Sequence, residues 1–146
     1  VVALSPLTDS TYSGPTLNSN MASDTMLGPL FGKLAKMPRF LLAWLYLLEN
    51  RIRPNNPLVS PLMANLSGLP PTLVQVSESE MLYDDARRFV NKARAAGSPV
   101  RLQSWQGLVH VWQWYCSEVP EADQAWNKVR EFVESVESQG GSPAAG

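Results

Sequence analysis

The sequence is poor in soft ligands: its 146 residues hold one cysteine, Cys116, and one histidine, His110. One cysteine excludes an internal disulfide, and the pair is too few for a zinc site built from cysteine and histidine alone, so no metal is expected. An excess of either charge is also missing. Twelve Lys and Arg face 13 Asp and Glu, a formal charge of −1, which leaves no basic field to gather nucleic acid or anionic lipid. The apolar run from Phe40 to Leu48 is about nine residues, well short of the ~20 that a membrane-spanning helix needs. With no targeting segment visible, the expected location is cytoplasmic. What is present, 45% hydrophobic and 17% charged residues, suits a packed globular domain.

The chain opens on Val1-Val2-Ala3-Leu4, an apolar run that reads as a strand over 1–5 with no preceding loop or cap. This start predicts that an N-terminal half precedes it, supplying flanking strands to cover these residues. A polar loop, Thr8 to Pro15, follows. Ser23 or Asp24 can cap a helix over 26–36, and Pro38 can sit in the first turn of another helix carrying Phe40 to Leu48. That second helix is expected to be buried or to lie over a lipophilic pocket. Five prolines between 54 and 71 mark a loop with a short turn over 61–66. A second strand is predicted over 72–76. An amphipathic helix over 81–96 follows, turning Leu82, Ala86, Phe89, Val90 and Ala93 inward and ending at Gly97. The alternation over 100–105 gives a third strand suited to a sheet edge. Pro120 starts a last helix through 137, with Ala125, Val129, Phe132, Val133 and Val136 at core spacing. Residues 138–146 read as a flexible tail, and Cys116 as a buried small apolar residue.

Strands separated by helices of this length predict an α/β fold with a parallel sheet. Three strands are few for such a sheet, so 1–137 is expected to be the C-terminal half of one domain, with cap or pocket helices at about 24–50. In parallel sheets the chemistry gathers at the carboxyl ends of the strands. After the second strand comes Ser77-Glu78-Ser79-Glu80, and after the third comes Gln106-Gly107-Leu108-Val109-His110. A carboxylate beside a histidine is the acid and base of a nucleophilic hydrolase. Spacing alone favours the plainer reading of a surface or packed histidine beside a solvated acidic face of Glu78, Glu80, Asp84 and Asp85, with favourable charges in a helix's first turn.

Several blocks in chain order carry a resemblance: Leu4-Ser5-Pro6-Leu7-Thr8-Asp9, Ser13-Gly14-Pro15, Asn56 to Leu62, Ser67 to Pro71, Glu80 to Asp85, Ala95-Ala96-Gly97, and Gly107-Leu108-Val109-His110-Val111-Trp112-Gln113. Over 2–136 the chain resembles the C-terminal half of the bacterial hormone-sensitive lipase family (family IV) of α/β-hydrolases. The resemblance implies that His110 is the catalytic histidine. It implies that Glu80, 30 residues upstream, is the catalytic acid, with Glu78 and Asp84 as the other candidates. Glu replaces the family's more usual Asp and keeps a carboxylate able to accept Nδ1–H. No G-x-S-x-G elbow and no His-Gly-Gly motif occurs in these residues. Ser5, Ser60 and Ser142 lack that context, so the nucleophile is expected outside this chain.

The implied activity is carboxylic ester hydrolysis through an acyl-enzyme, without metal or cofactor, on short- to medium-chain lipophilic esters, this chain alone being inactive. A lactone or amide hydrolase of the same fold, or a non-catalytic interaction fragment, are the alternatives. Met26, Leu27, Phe31, Leu34, Phe40, Leu41, Trp44, Leu62, Val111 and Trp112 are candidates to line the pocket. The expected partners are the N-terminal half carrying the serine, a small ester, and a second copy paired through the edge strand 100–105.

Overall fold

The computed structural model describes residues 1–140, with the side chains of Leu34 and Ala35 left aside. Three strands, β1 (Val2–Leu4), β2 (Thr72–Ser77) and β3 (Val100–Trp105), form one parallel sheet in the order β1-β2-β3. Val2 pairs with Leu73, and β2 runs in register with β3 from Thr72 opposite Val100 to Ser77 opposite Trp105. Every residue of β2 is buried, as a central strand covered on both faces requires. Val74 and Val76 pack with Ala86, Val90 and Ala93 of α4 (Tyr83–Ala95). Between them Gln75 faces the other way, donating to the carbonyl of Ala125 in α5 (Pro120–Gly140) at 3.0 Å. The two-residue alternation of the strand thus assigns one helix to each face. Full burial of each such aliphatic side chain stabilises by about 1.5–3 kcal/mol.

Gly97 ends α4 in the left-handed region, φ 81°, which a Cβ would resist. In α5 the buried stripe is Ala122, Ala125 and Phe132, with Val129 half-buried, while Val133, expected inward, is exposed. It follows Phe132 by one residue, about 100° round the helix and off the stripe. The helix also continues to Gly140, so residues 138–140 are helical where a tail was predicted; the rest of that tail lies outside the described residues. Val1 and Val2 are exposed. Cys116 is exposed too. It follows the 3-10 turn Trp112–Tyr115 on an extended residue, φ −58°, ψ 143°, where the chain leaves the sheet for α5.

Between β1 and β2 the chain makes α1 (Thr16–Ser19), α2 (Leu27–Ala35), α3 (Arg39–Asn50) and a 3-10 turn at Pro61–Met63. Asp24, not Ser23, caps α2, its Oδ1 accepting from the N–H groups of Met26 and Leu27 at 3.2 and 2.8 Å. Pro38 stands just before α3. Only Leu42 of α3 is buried, with Phe40 77% and Trp44 56% exposed. Among the described residues no helix is long and apolar enough to cross a membrane.

Candidate active site

The carboxyl ends of β2 and β3 lie side by side, so the turns that follow them meet. Glu80 is wholly buried, and its Oε2 accepts the Nδ1–H of His110 at 2.8 Å. Its other oxygen, Oε1, accepts the backbone N–H of Ser77 at 2.7 Å and the hydroxyl of Ser5, at the end of β1, at 2.8 Å. Three donors on two oxygens compensate a carboxylate that burial would otherwise penalise. With Nδ1 donating, Nε2 is left with its lone pair, and the His110 side chain is 17% exposed. A base oriented and backed by a buried carboxylate can take a proton from a group presented at Nε2.

The loop carrying Glu80 is held from the segment after β1. Asn20 donates to the carbonyls of Glu78 and Glu80 at 2.7 and 3.0 Å, and Asp24 Oδ2 accepts the Met81 N–H at 2.9 Å. Ser79 Oγ accepts the N–H of Gly107, and Ser77 Oγ that of Leu108, joining the acid loop to the histidine loop. Beyond the histidine, Trp112 is buried against Ala122 and Ala125, its ring 5.2 Å from that of Trp105. Gln113 donates to Gln75 of the central strand at 3.2 Å.

The other candidate acids are engaged elsewhere. Glu78 is bound by Ser104 and Gln106. Asp84 accepts from the Thr16 N–H and pairs with Arg87 at 2.6 Å. Asp84 and Asp85 do not form a solvated face, since both are buried. Asp85 Oδ2 accepts the N–H groups of Thr8 and Asp9, and Asp85 and Asp9 share Arg88 at 3.2 and 3.0 Å. Burial pushes the Asp85 carboxyl up despite the two amides and Arg88. At Asp9 burial is outweighed by the donors Ser13, Thr11 and Arg88, and the carboxyl is held below its ordinary value. No sequence spacing signals this cluster, whose members lie up to 79 residues apart. Among the described residues no three His, Cys, Asp or Glu side chains are grouped to hold a metal ion.

An apolar cavity of about 320 Å³ opens at His110, lined also by Leu7, Tyr12, Leu17, Leu27, Phe31, Leu42, Leu45, Tyr46, Glu49, Met81 and Leu82. Of the predicted lining, among the described side chains, only Leu27 and Phe31 stand there. Met26, Phe40 and Trp44 point to solvent. Leu41 lies off the cavity stripe of α3, which is 42, 45, 46 and 49. Leu62 and Trp112 are in the core, Val111 is on the backbone turn after the histidine, and the Leu34 side chain lies outside the described residues. Burial, with Tyr46, Glu49 and Asp85 nearby, pushes the phenol of Tyr12, at the cavity wall, up.

This order of elements, with the acid after one parallel strand and the histidine after the next, coincides with a family match: residues 1–114 fit the family model described as alpha/beta hydrolase fold. The chain belongs to the α/β-hydrolase family. It is 34% identical over 137 residues to an esterase of Acinetobacter venetianus, covering 94% of this chain and 43% of that protein. It is 33% identical over 136 residues to the carboxylesterase/phospholipase LipF of Mycobacterium tuberculosis, covering 91% and 35%. Among solved structures, an esterase from the bacterial hormone-sensitive lipase family superposes with a TM-score of 0.75 at 35% identity, covering 92% of this chain and 42% of that one. The sequence resemblance to that group of α/β-hydrolases therefore extends to the structure. The chain spans less than half the length of these relatives.

Proposed function

We propose that this α/β-hydrolase chain supplies the histidine and acid of a serine carboxylic ester hydrolase, with the nucleophilic serine and the oxyanion donors on a preceding segment of the same enzyme. The observation that carries the reading is the 2.8 Å contact between His110 Nδ1 and the buried Glu80. His110 Nε2 takes the serine proton as the hydroxyl attacks the ester carbonyl, then returns it to the departing alcohol. Water, deprotonated by the same nitrogen, releases the acid from the acyl-enzyme. Glu80 holds the tautomer and stabilises the imidazolium. The apolar cavity beside His110 favours an uncharged acyl or alcohol chain of short or medium length.

The test is p-nitrophenyl butyrate hydrolysis by the full-length polypeptide. His110→Ala should lower kcat by roughly 10⁶-fold. In Glu80→Gln the two donors on Oε1 keep the amide oxygen, so the NH₂ faces Nδ1 and forces the wrong tautomer; a loss of about 10⁴-fold is expected. The 146-residue chain by itself should be inactive. Undiminished activity in His110→Ala refutes the mechanism. Turnover of lactones or anilides in preference to esters assigns another reaction to the same site, and no turnover of any of them by the full-length protein leaves a binding fragment.

A further inference from the structure

Ser5 is buried, follows β1 directly, and has φ 45°, a left-handed conformation uncommon for a residue with a Cβ. Its hydroxyl has one proton and two lone pairs, and two partners are in place. It donates to Glu80 Oε1 at 2.8 Å and accepts the N–H of Val111, the residue after the histidine, at 3.3 Å. Val111 is itself left-handed at φ 49°, a sterically costly state for a β-branched residue that persists only where its surroundings impose it. Two strained backbone positions thus converge on one hydroxyl lying between the acid and the histidine. A glycine would remove the strain at position 5 and lose the hydroxyl.

We propose that Ser5 is a positioning residue, locking the inner oxygen of Glu80 to the backbone at Val111 and thereby setting the aim of His110. This rests on reading His110 and Glu80 as the acid and base of the reaction. Without the hydroxyl, Glu80 Oε1 keeps only the Ser77 amide and the Val111 N–H loses its acceptor. The carboxylate can then rotate about that single amide and the imidazole loses its fixed direction. Ser5 itself is held through its own N–H, donated to the Gln75 carbonyl at 2.8 Å, so the central strand is the ultimate anchor.

The experiment measures p-nitrophenyl butyrate kinetics and unfolding midpoints of the full-length polypeptide carrying Ser5→Ala, Ser5→Gly, Glu80→Gln and Ser5→Ala with Glu80→Gln, with His110→Ala as control. Ser5→Ala should lower kcat about tenfold to a hundredfold with KM changed less than about twofold, the scale set by one hydrogen bond to a charged group and by misalignment of a base. Added to Glu80→Gln it should cost less than about a further twofold, because its effect passes through that carboxylate. Ser5→Gly should unfold no earlier than Ser5→Ala and be equally impaired. Recovery of wild-type kcat in Ser5→Gly would reduce position 5 to a backbone role and overturn the proposal. A full multiplicative loss in the Glu80→Gln background, or an unimpaired Ser5→Ala, overturns it as well. Activity surviving in His110→Ala instead refutes the acid-base reading itself, so the two failures are distinct.

Discussion

Arg88 sits between two buried carboxylates, and replacing it tests whether that cluster holds the loop after β1 onto α4. Its guanidinium reaches Asp9 at 3.0 Å, Asp85 at 3.2 Å and the Ser13 hydroxyl at 2.7 Å. Arg88→Met keeps the apolar stem and removes the charge. Leaving a buried charge without its partner costs about 3–5 kcal/mol; since the Arg88 side chain is 30% exposed, water offsets part of this, and about 2–4 kcal/mol is expected. In urea that moves the midpoint down by about 1–2 M. The loss should depend on pH. Asp9 is lowered from 3.8 in the folded state, so its contribution is present above 3.8 and lost as pH falls through its lowered value. Asp85 is raised from 3.8, so its contribution is present below 3.8 and lost as pH rises through its raised value. Removing Arg88 raises both, so the deficit is full at neutral pH and shrinks on acidification, the Asp85 share first and the Asp9 share only as pH falls below 3.8 to its lowered value, where protonated carboxyls need no counter-charge. Asp85→Asn in the Arg88→Met background should recover at least about 1 kcal/mol, because the amide oxygen still serves Thr8 and Asp9 while one of the two facing charges is gone. Urea titrations of the full-length protein at neutral and acidic pH decide the matter. A deficit below about 1 kcal/mol, or one unchanged by pH, would show that the carboxylates are stabilised without Arg88.

Two further outcomes follow from the cavity and the sheet. Leu42 is the buried member of the α3 stripe that lines the cavity, so Leu42→Phe in the full-length enzyme should slow p-nitrophenyl octanoate more than the acetate. Equal effects on both esters would place the acyl chain elsewhere. Strand β3 is at one edge of the sheet among the described residues, and pairing it with a second copy is expected to give a dimeric mass in light scattering, reduced by Leu102→Pro; a monomer at micromolar concentration refutes the pairing.

The parts of this fold that were legible in the sequence are those whose pattern has a polar side. The helix over Tyr83–Ala95 alternates charged and apolar faces, and Ala86, Val90 and Ala93 are buried as predicted. β3 matches its expected limits, and β2 gains only Ser77. The helix α3 behaves differently. Phe40 to Leu48 is apolar all round, so periodicity gives its existence without its rotation, and the predicted lining took Phe40, Leu41 and Trp44 where the cavity uses Leu42, Leu45 and Tyr46. Strand order put a carboxylate and His110 in neighbouring turns without deciding that they pair, and only the resemblance pointed to Glu80. The roles of Ser5, Arg88 and Asp9 were not readable. Ser5 meets Glu80 across 75 residues and Asp9 meets Arg88 across 79, and only the closed sheet brings them together.

Those distances along the chain have a temporal consequence. The Glu80 to His110 contact closes a loop of 30 residues, but the two hydrogen bonds of Ser5 close 75 and 106. Closure entropy grows with loop length, so during folding the bridge of Ser5 is expected to complete after the pairing of β2 with β3. The same order in reverse means that warming should release the β1 corner first. In the full-length enzyme activity would then fade while the core beneath α4 is still intact, making turnover a more sensitive thermometer than circular dichroism.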